Sequence, residues 1–428
     1  MSLPNGMEPT IKITVIIPTR ERCDTLQAAL QTCVTQDYGD LEILVSDNFS
    51  QDQTREIVAA VNDKRLRYIN TGQRVGMSAN WEFALSHVNS GYVMFLGDDD
   101  GLMPKAISRM AEVLRTLEQP AALGLGRAVY YWPNYPNATR RNTLMIGEAD
   151  KITTLDSAAE LKEVAAIRRS WGALPGIYRS LIRQDIVEVV KQRSGGRFFN
   201  SAIPDVYSAV AVACVIPTYN YSLNTYTLEG VSGHSIGNSF LNRHVHAQPA
   251  QRFLAENEIK IHPRMVMSSS SAVCVAECVL QAQDLGLTPS DLTLDLQTVI
   301  RAALREASEA ADGVYAAVLE DVRQIGVRNH LEDFVAEAIS HAAHSAAAEG
   351  RPLSGHNLRR GGLTVDCSPH GVRNVYEASL LCDRILHAEP WRHWYPVGTL
   401  QLTFREFMPF IKKHLKRTWR RFTHRPPP

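Results

Sequence analysis

Three consecutive carboxylates, Asp98, Asp99 and Asp100, follow the apolar run at 91–96 (GYVMFL), with only Gly97 between. Like charges this close repel and raise one another's pKa, so the cluster calls for a neutralising cation. Mg²⁺ or Mn²⁺ takes one or two carboxylates and completes its shell with phosphate oxygens and waters. Held between protein and diphosphate, such an ion is a Lewis acid toward a departing phosphate group. In an extended segment the i, i+2 spacing puts Asp98 and Asp100 on one face, which makes them the expected metal ligands, with Asp99 facing away. The competing reading is a solvated acidic turn that caps the next helix. A fourth carboxylate, Asp205, follows Pro204 at the start of another apolar run. It could take a proton as a general base, or simply sit in a helix's first turn, stabilised by the macrodipole.

These groups need elements to hold them, and the first 120 residues provide a regular alternation. Short β-branched runs at 11–18 (IKITVIIP), 41–45 (LEILV), 66–69 and 91–96 predict strands. Segments with helical spacing at 24–36, 53–61 and 78–88 separate them. Strand–helix repeats of this length imply right-handed crossovers and a mainly parallel sheet. Ligands bind outside the carboxyl ends of such strands. Pro18-Thr19-Arg20, Asp47-Asn48 and the three aspartates all fall at that edge. Residues 125–230 give mixed signals, with a further apolar run at 206–216. Beyond 240 the chain reads as helical, at 272–282, 294–311, 314–322 and 331–348, with a glycine-rich loop at 350–371.

The chain has 428 residues, 45 Lys+Arg and 45 Asp+Glu, so it needs more than one hydrophobic unit and is not a globally basic binder of nucleic acid. Neutrality is a sum of unlike parts. From Arg405 onward eight Lys and Arg face one Glu, a segment of +7. Phe407, Ile411, Leu415, Trp419 and Phe422 recur there at helical steps, which predicts a basic amphipathic helix suited to an anionic membrane surface or to packing on the protein. Seven scattered cysteines suggest a reducing compartment, and Cys274 and Cys278 read as core residues. No signal peptide is visible, and the expected location is cytoplasmic, at the inner face of the membrane if the tail anchors there.

Four motifs in order, Thr14-Val15-Ile16-Ile17-Pro18-Thr19-Arg20, Val45-Ser46-Asp47-Asn48-Phe49-Ser50, Gly76-Met77-Ser78-Ala79-Asn80 and Leu96-Gly97-Asp98-Asp99-Asp100, resemble the family 2 glycosyltransferases of bacterial type and GT-A fold. The resemblance implies an inverting, metal-dependent transfer of a sugar from a nucleotide-sugar donor, with UDP the commonest nucleotide, to a glycan or lipid-linked acceptor. It implies that Pro18, Thr19, Arg20, Glu21, Asp47 and Asn48 hold base and ribose. The aspartate cluster would hold Mn²⁺ or Mg²⁺ and the diphosphate, with Arg74 and Asn80 nearby and Asp98 and Asp99 against the donor. Asp205 occupies the place of the family's base, although its usual acidic partner is Pro204 here. Trp171, Gly172, Tyr178 and Arg179 lie where the family builds its acceptor and donor-sugar pocket, and Arg197 could pair with Asp205 or the diphosphate. His234 is a candidate further metal ligand.

The expected division is a flexible tail at 1–10, a GT-A domain at 11–240, a helical region at 241–400 that shapes the acceptor site or a homo-oligomer interface, and the basic tail at 401–428. Two other classes of function stay open. One is a catalytically silent GT-A domain that binds a sugar nucleotide or glycan. The other is a hydrolase, because Gly233-His234-Ser235-Ile236-Gly237 has the G-x-S-x-G form with Ser235 as nucleophile.

Overall fold

The computed structural model describes residues 10–147, 151–234, 255–308, 310–342 and 363–387. The Ser235 motif and the basic tail from 401 lie outside them. The chain begins with β1 (Ile13–Thr19), α1 (Cys23–Val34), β2 (Leu41–Asp47), α2 (Thr54–Ala59), β3 (Leu66–Asn70), α3 (Met77–Leu85) and β4 (Tyr92–Phe95). Then come β5 (Gly101–Leu102), α4 (Ala106–Thr116), β6 (Ala122–Tyr131), β7 (Thr143–Ile146), β8 (Ile152–Asp156), α5 (Ser157–Ala165) and β9 (Ser180–Arg183). They are followed by α6 (Gln184–Arg193), α7 (Pro204–Val215) and β10 (Thr218–Val231). The apolar run at 206–216 falls in helix α7. It tolerates so many β-branched residues because it is buried on nearly every side.

One sheet organises the molecule, in the order β11-β7-β6-β9-β4-β1-β2-β3, where β11 is Leu363–Asp366. The quartet β3, β2, β1 and β4 is parallel. Beyond β4 the path turns antiparallel through β9, β6, β7 and β11, so the sheet is mixed. Strand β10 runs parallel to β6 and antiparallel to β5 and β8. Both faces of β1, β2 and β4 are covered, which explains their apolar runs, whereas the edge strand β3 is only partly buried. Ile13, Val15 and Ile17 face one core with α1 and α4, while Ile16, Leu44 and Phe95 face the other with α3, α6 and α7.

The helical region is grafted onto this body. Helix Ser271–Asp284 gives Val275, Cys278 and Val279 to the sheet-side core and Val273, Ala276 and Leu280 to a third core. Helices Leu296–Ala307, Asp312–Asn329 and Glu332–Ser340 complete that third core. The helical region is therefore not free-standing, since it shares a core with the sheet. Nor is 350–371 wholly a loop: β11 pairs with β7, and helix Val375–Leu386 returns to cover α1. Among the described residues no helix is long and apolar enough to cross a membrane.

Candidate active site

The carboxyl ends of β1, β2 and β4 meet as the parallel register requires, with Thr19 opposite Asp47. The Thr19 hydroxyl donates to Asp98 Oδ2 at 2.8 Å, tying the first strand to the acidic turn. Glu21 has left-handed backbone (φ 52°) and forms an ion pair with Arg74, while Arg20 pairs with Glu256. Asp47 is buried and well partnered: Tyr68 (2.6 Å) and Asn70 (2.9 Å) donate to Oδ2, and the Ser50 N–H donates to Oδ1. Asn48 bonds both the carbonyl and the N–H of Val75, which secures the loop that carries Arg74. Asn80 is a correction. Its side chain faces inward to Ser46, accepting from the hydroxyl at 2.8 Å, so it braces β2 and is not placed against a donor.

The acidic segment is a turn, closed by the Asp100 N–H to the Gly97 carbonyl at 3.1 Å, and not the extended stretch that i, i+2 reasoning assumed. The three carboxylates consequently diverge. Asp98 accepts from Arg22 at 2.9 Å as well as from Thr19; burial raises its pKa, Arg22 opposes that, and Asp99 adds to it. Asp99 accepts from the Ser232 hydroxyl at 2.6 Å. Asp100 accepts from the Gly97 N–H (3.0 Å), the Tyr178 hydroxyl (2.6 Å) and the Gly230 N–H (2.7 Å). Burial and the neighbouring Asp99 push its pKa up. Both Asp100 oxygens are thus engaged within the protein, as both Asp98 oxygens are by Arg22 and Thr19. Glycine at 97 has a physical reason: a Cβ there would lie 2.5 Å from the Tyr178 hydroxyl. Gly230 is equally constrained, since its Cβ would come within 1.7 Å of the Asp99 carbonyl.

Tyr178→Phe removes one of the three donors to buried Asp100 while the ring keeps its stacking on Trp81, 5.7 Å away. The expected loss is about 1–3 kcal/mol of stability, read as a lower urea midpoint at unchanged slope.

Asp205 lies in the first turn of α7, after Pro204. Burial raises its pKa, outweighing the N–H of Val206 and the positive charge of Arg179, both of which favour the ionised form. Arg179 stacks over Trp171 at 4.4 Å from the ring centroid, and Gly172 leaves room for it, since a Cβ there would meet Arg179 Nη1 at 2.8 Å. Arg179 also pairs with Glu229, which Arg127 holds from the other side. Although burial opposes it, these two cations keep Glu229 below the usual glutamate range. Glu229 was not anticipated, and the signal for it is a lone charge inside the strand run Thr227-Leu228-Glu229-Gly230-Val231.

Two expected members stand apart. Arg197 is 3.7 Å from Glu258 and has no contact with Asp205. The His234 ring faces Asp24 of α1 at 3.4 Å, while its carbonyl accepts from Arg22. Among the described residues no group of three or more His, Cys, Asp or Glu forms a metal cluster. A cation at this turn would have to replace Arg22 at Asp98 or join Ser232 at Asp99, with phosphate oxygens and waters filling its shell, which is the habit of Mg²⁺ and Mn²⁺.

Residues 14–170 match the model described as "Glycosyl transferase family 2". That match takes in β1 to α5, well under half of the chain. Similar proteins include the GalNAc(5)-diNAcBac-PP-undecaprenol beta-1,3-glucosyltransferase of Campylobacter jejuni, 36% identical over 24% of this chain and 34% of that one. Another is the UDP-Glc:alpha-D-GlcNAc-diphosphoundecaprenol beta-1,3-glucosyltransferase WfaP of Escherichia coli, 27% identical over 24% and 41%. The chain thus spans well under half the length of these relatives. Among solved structures, S. aureus TarS 1–349 in complex with UDP-GlcNAc aligns at 15% identity and TM-score 0.44, over 78% of this chain and 93% of that one. The matched residues contain the parallel quartet and much of the mixed, helix-flanked sheet.

Proposed function

We propose that this protein is an inverting, metal-dependent glycosyltransferase that moves a sugar from a nucleotide-sugar donor, most simply a UDP-sugar, onto a lipid-linked glycan in cell-surface polysaccharide synthesis. The observation that carries this reading is the convergence of a raised-pKa carboxylate, Asp205, and an acidic turn on one edge of a nucleotide-binding sheet, joined through Arg179, Glu229 and Tyr178. The names of the relatives supply the donor and acceptor class, a UDP-sugar and an undecaprenol diphosphate.

In this reading β1 and β2 bind the nucleotide, and Asp98 and Asp99 face its diphosphate. Mn²⁺ or Mg²⁺ bound there would offset charge on the departing nucleoside diphosphate. Asp205 accepts the proton as an acceptor hydroxyl attacks the anomeric carbon; the new C–O bond forms as the bond to the diphosphate breaks, with inversion. Arg179, held flat by Trp171, keeps the Asp205 surroundings positive. A basic amphipathic tail suits an enzyme working on a lipid acceptor at the inner membrane face.

Thermal shift with UDP-glucose, UDP-GlcNAc and GDP-mannose, each with and without Mn²⁺, tests the reading. A stabilisation that needs both ligands is expected. No stabilisation with any donor, together with no donor hydrolysis, would leave a domain without transferase chemistry.

A further inference from the structure

The tip of the β2–α2 loop carries an arrangement that neither folding nor the chemistry above explains. Phe49 has left-handed backbone, φ 57°, a conformation that favours glycine and disfavours side chains with a Cβ. It is also the one exposed aromatic side chain among the described residues, 38% accessible, so no core burial offsets that strain. The loop is nonetheless held firmly. The Asn48 N–H donates to the Thr19 carbonyl at 2.9 Å, the Glu21 N–H to the Ser50 hydroxyl at 2.9 Å, and the Gln51 N–H to Glu21 Oε1 at 3.1 Å. The Ser50 N–H closes the turn onto Asp47 at 3.0 Å. Two cross-links to the β1–α1 loop, one to the end of β1 and one within the turn hold a phenyl side chain at the surface on strained backbone. Strain kept by its surroundings at a ligand edge points to function.

Position decides which ligand. In the order β9-β4-β1-β2-β3, the acidic turn follows β4 and Phe49 follows β2, two strand spacings or about 10 Å away. Tyr178, Arg179 and Asp205 lie on the opposite side, toward β9 and α7. An extended nucleoside diphosphate with its phosphates at the acidic turn reaches β2 with its base. A phenyl ring offers nothing to phosphate, but its flat face suits a flat heterocycle.

We infer that Phe49 is a stacking platform for the nucleobase of the donor, which makes it a specificity residue of the nucleotide site. The inference rests on the transferase reading. Calorimetric titration of UDP, GDP and inorganic pyrophosphate, each with Mn²⁺, into wild type, Phe49→Gly and Phe49→Tyr tests it. Phe49→Gly should keep or raise Tm, because glycine accepts the backbone, and should lose roughly tenfold in affinity for the preferred nucleotide. Pyrophosphate affinity should stay unchanged, and Phe49→Tyr should bind nucleotide as wild type does. Nucleotide affinity unchanged in Phe49→Gly, or an equal loss for pyrophosphate, would overturn the inference and leave the transferase reading standing. Failure of wild type to bind either nucleotide would overturn the transferase reading itself, and the inference with it.

Discussion

Asp205→Asn should remove transfer, lowering kcat by roughly 10²–10⁴-fold, while leaving donor affinity intact. The amide fits the same first-turn position, so the fold should survive and the loss should appear in kcat. The pH profile makes the test sharper. Because burial raises the pKa of Asp205, its basic form is populated only above that raised value, so the acid limb of kcat should lie higher than an ordinary aspartate would give. Arg179 is a charge that favours the ionised form, so Arg179→Met should move the limb further up. The same shift has a stability consequence of definite sign. The folded state holds the proton more tightly than the unfolded state, so Asp205 lowers stability as pH rises from the unfolded toward the folded pKa. Asp205→Asn should flatten that decline. An active Asp205→Asn enzyme with an unmoved acid limb would rule Asp205 out as the base.

The second large effect concerns Arg22. Its guanidinium donates to Asp98 at 2.9 Å, and the side chains are only 18% and 3% exposed. Removing one partner of such a pair leaves a buried charge uncompensated, at a cost of about 3–5 kcal/mol. Arg22→Ala should therefore melt well below wild type. If Asp98 belongs to the cation and diphosphate site, Mn²⁺ with UDP should recover much of that loss by supplying the missing positive charge, so the ligand-induced rise in Tm should exceed that of wild type. An equal rise in both proteins would place Asp98 off the ligand's path.

The parallel half of the sheet was legible in the sequence because burial on both faces demands unbroken β-branched runs, and 11–18, 41–45 and 91–96 supply them. The edge where strands end in polar residues was legible for the same reason. The detail at that edge was not. Whether 97–100 is extended or turned depends on Tyr178 and Gly230, 78 and 130 positions from Asp100. Asn80 shows a related limit: a polar residue in a motif was assigned to a ligand, yet its partner is the neighbouring strand's Ser46. Glu229 carried a visible signal as a charge within a strand, but only the approach of Arg127 and Arg179 gives it meaning. Strand β11 could not be read from four residues beside a glycine-rich stretch, because its strand character comes from β7.

That last pairing sets the order in which the protein can be completed. Strand β7 ends at Ile146, and the strand that covers its edge begins at Leu363. During synthesis the ribosome must add more than two hundred residues before β7 acquires its neighbour and the returning helix caps α1. Through that interval the nascent chain presents an open strand edge and an uncovered apolar helix face, the two features that most invite association between chains. Contacts this distant in sequence also make the final closure slow. The parallel quartet is synthesised long before the strand that finishes its sheet.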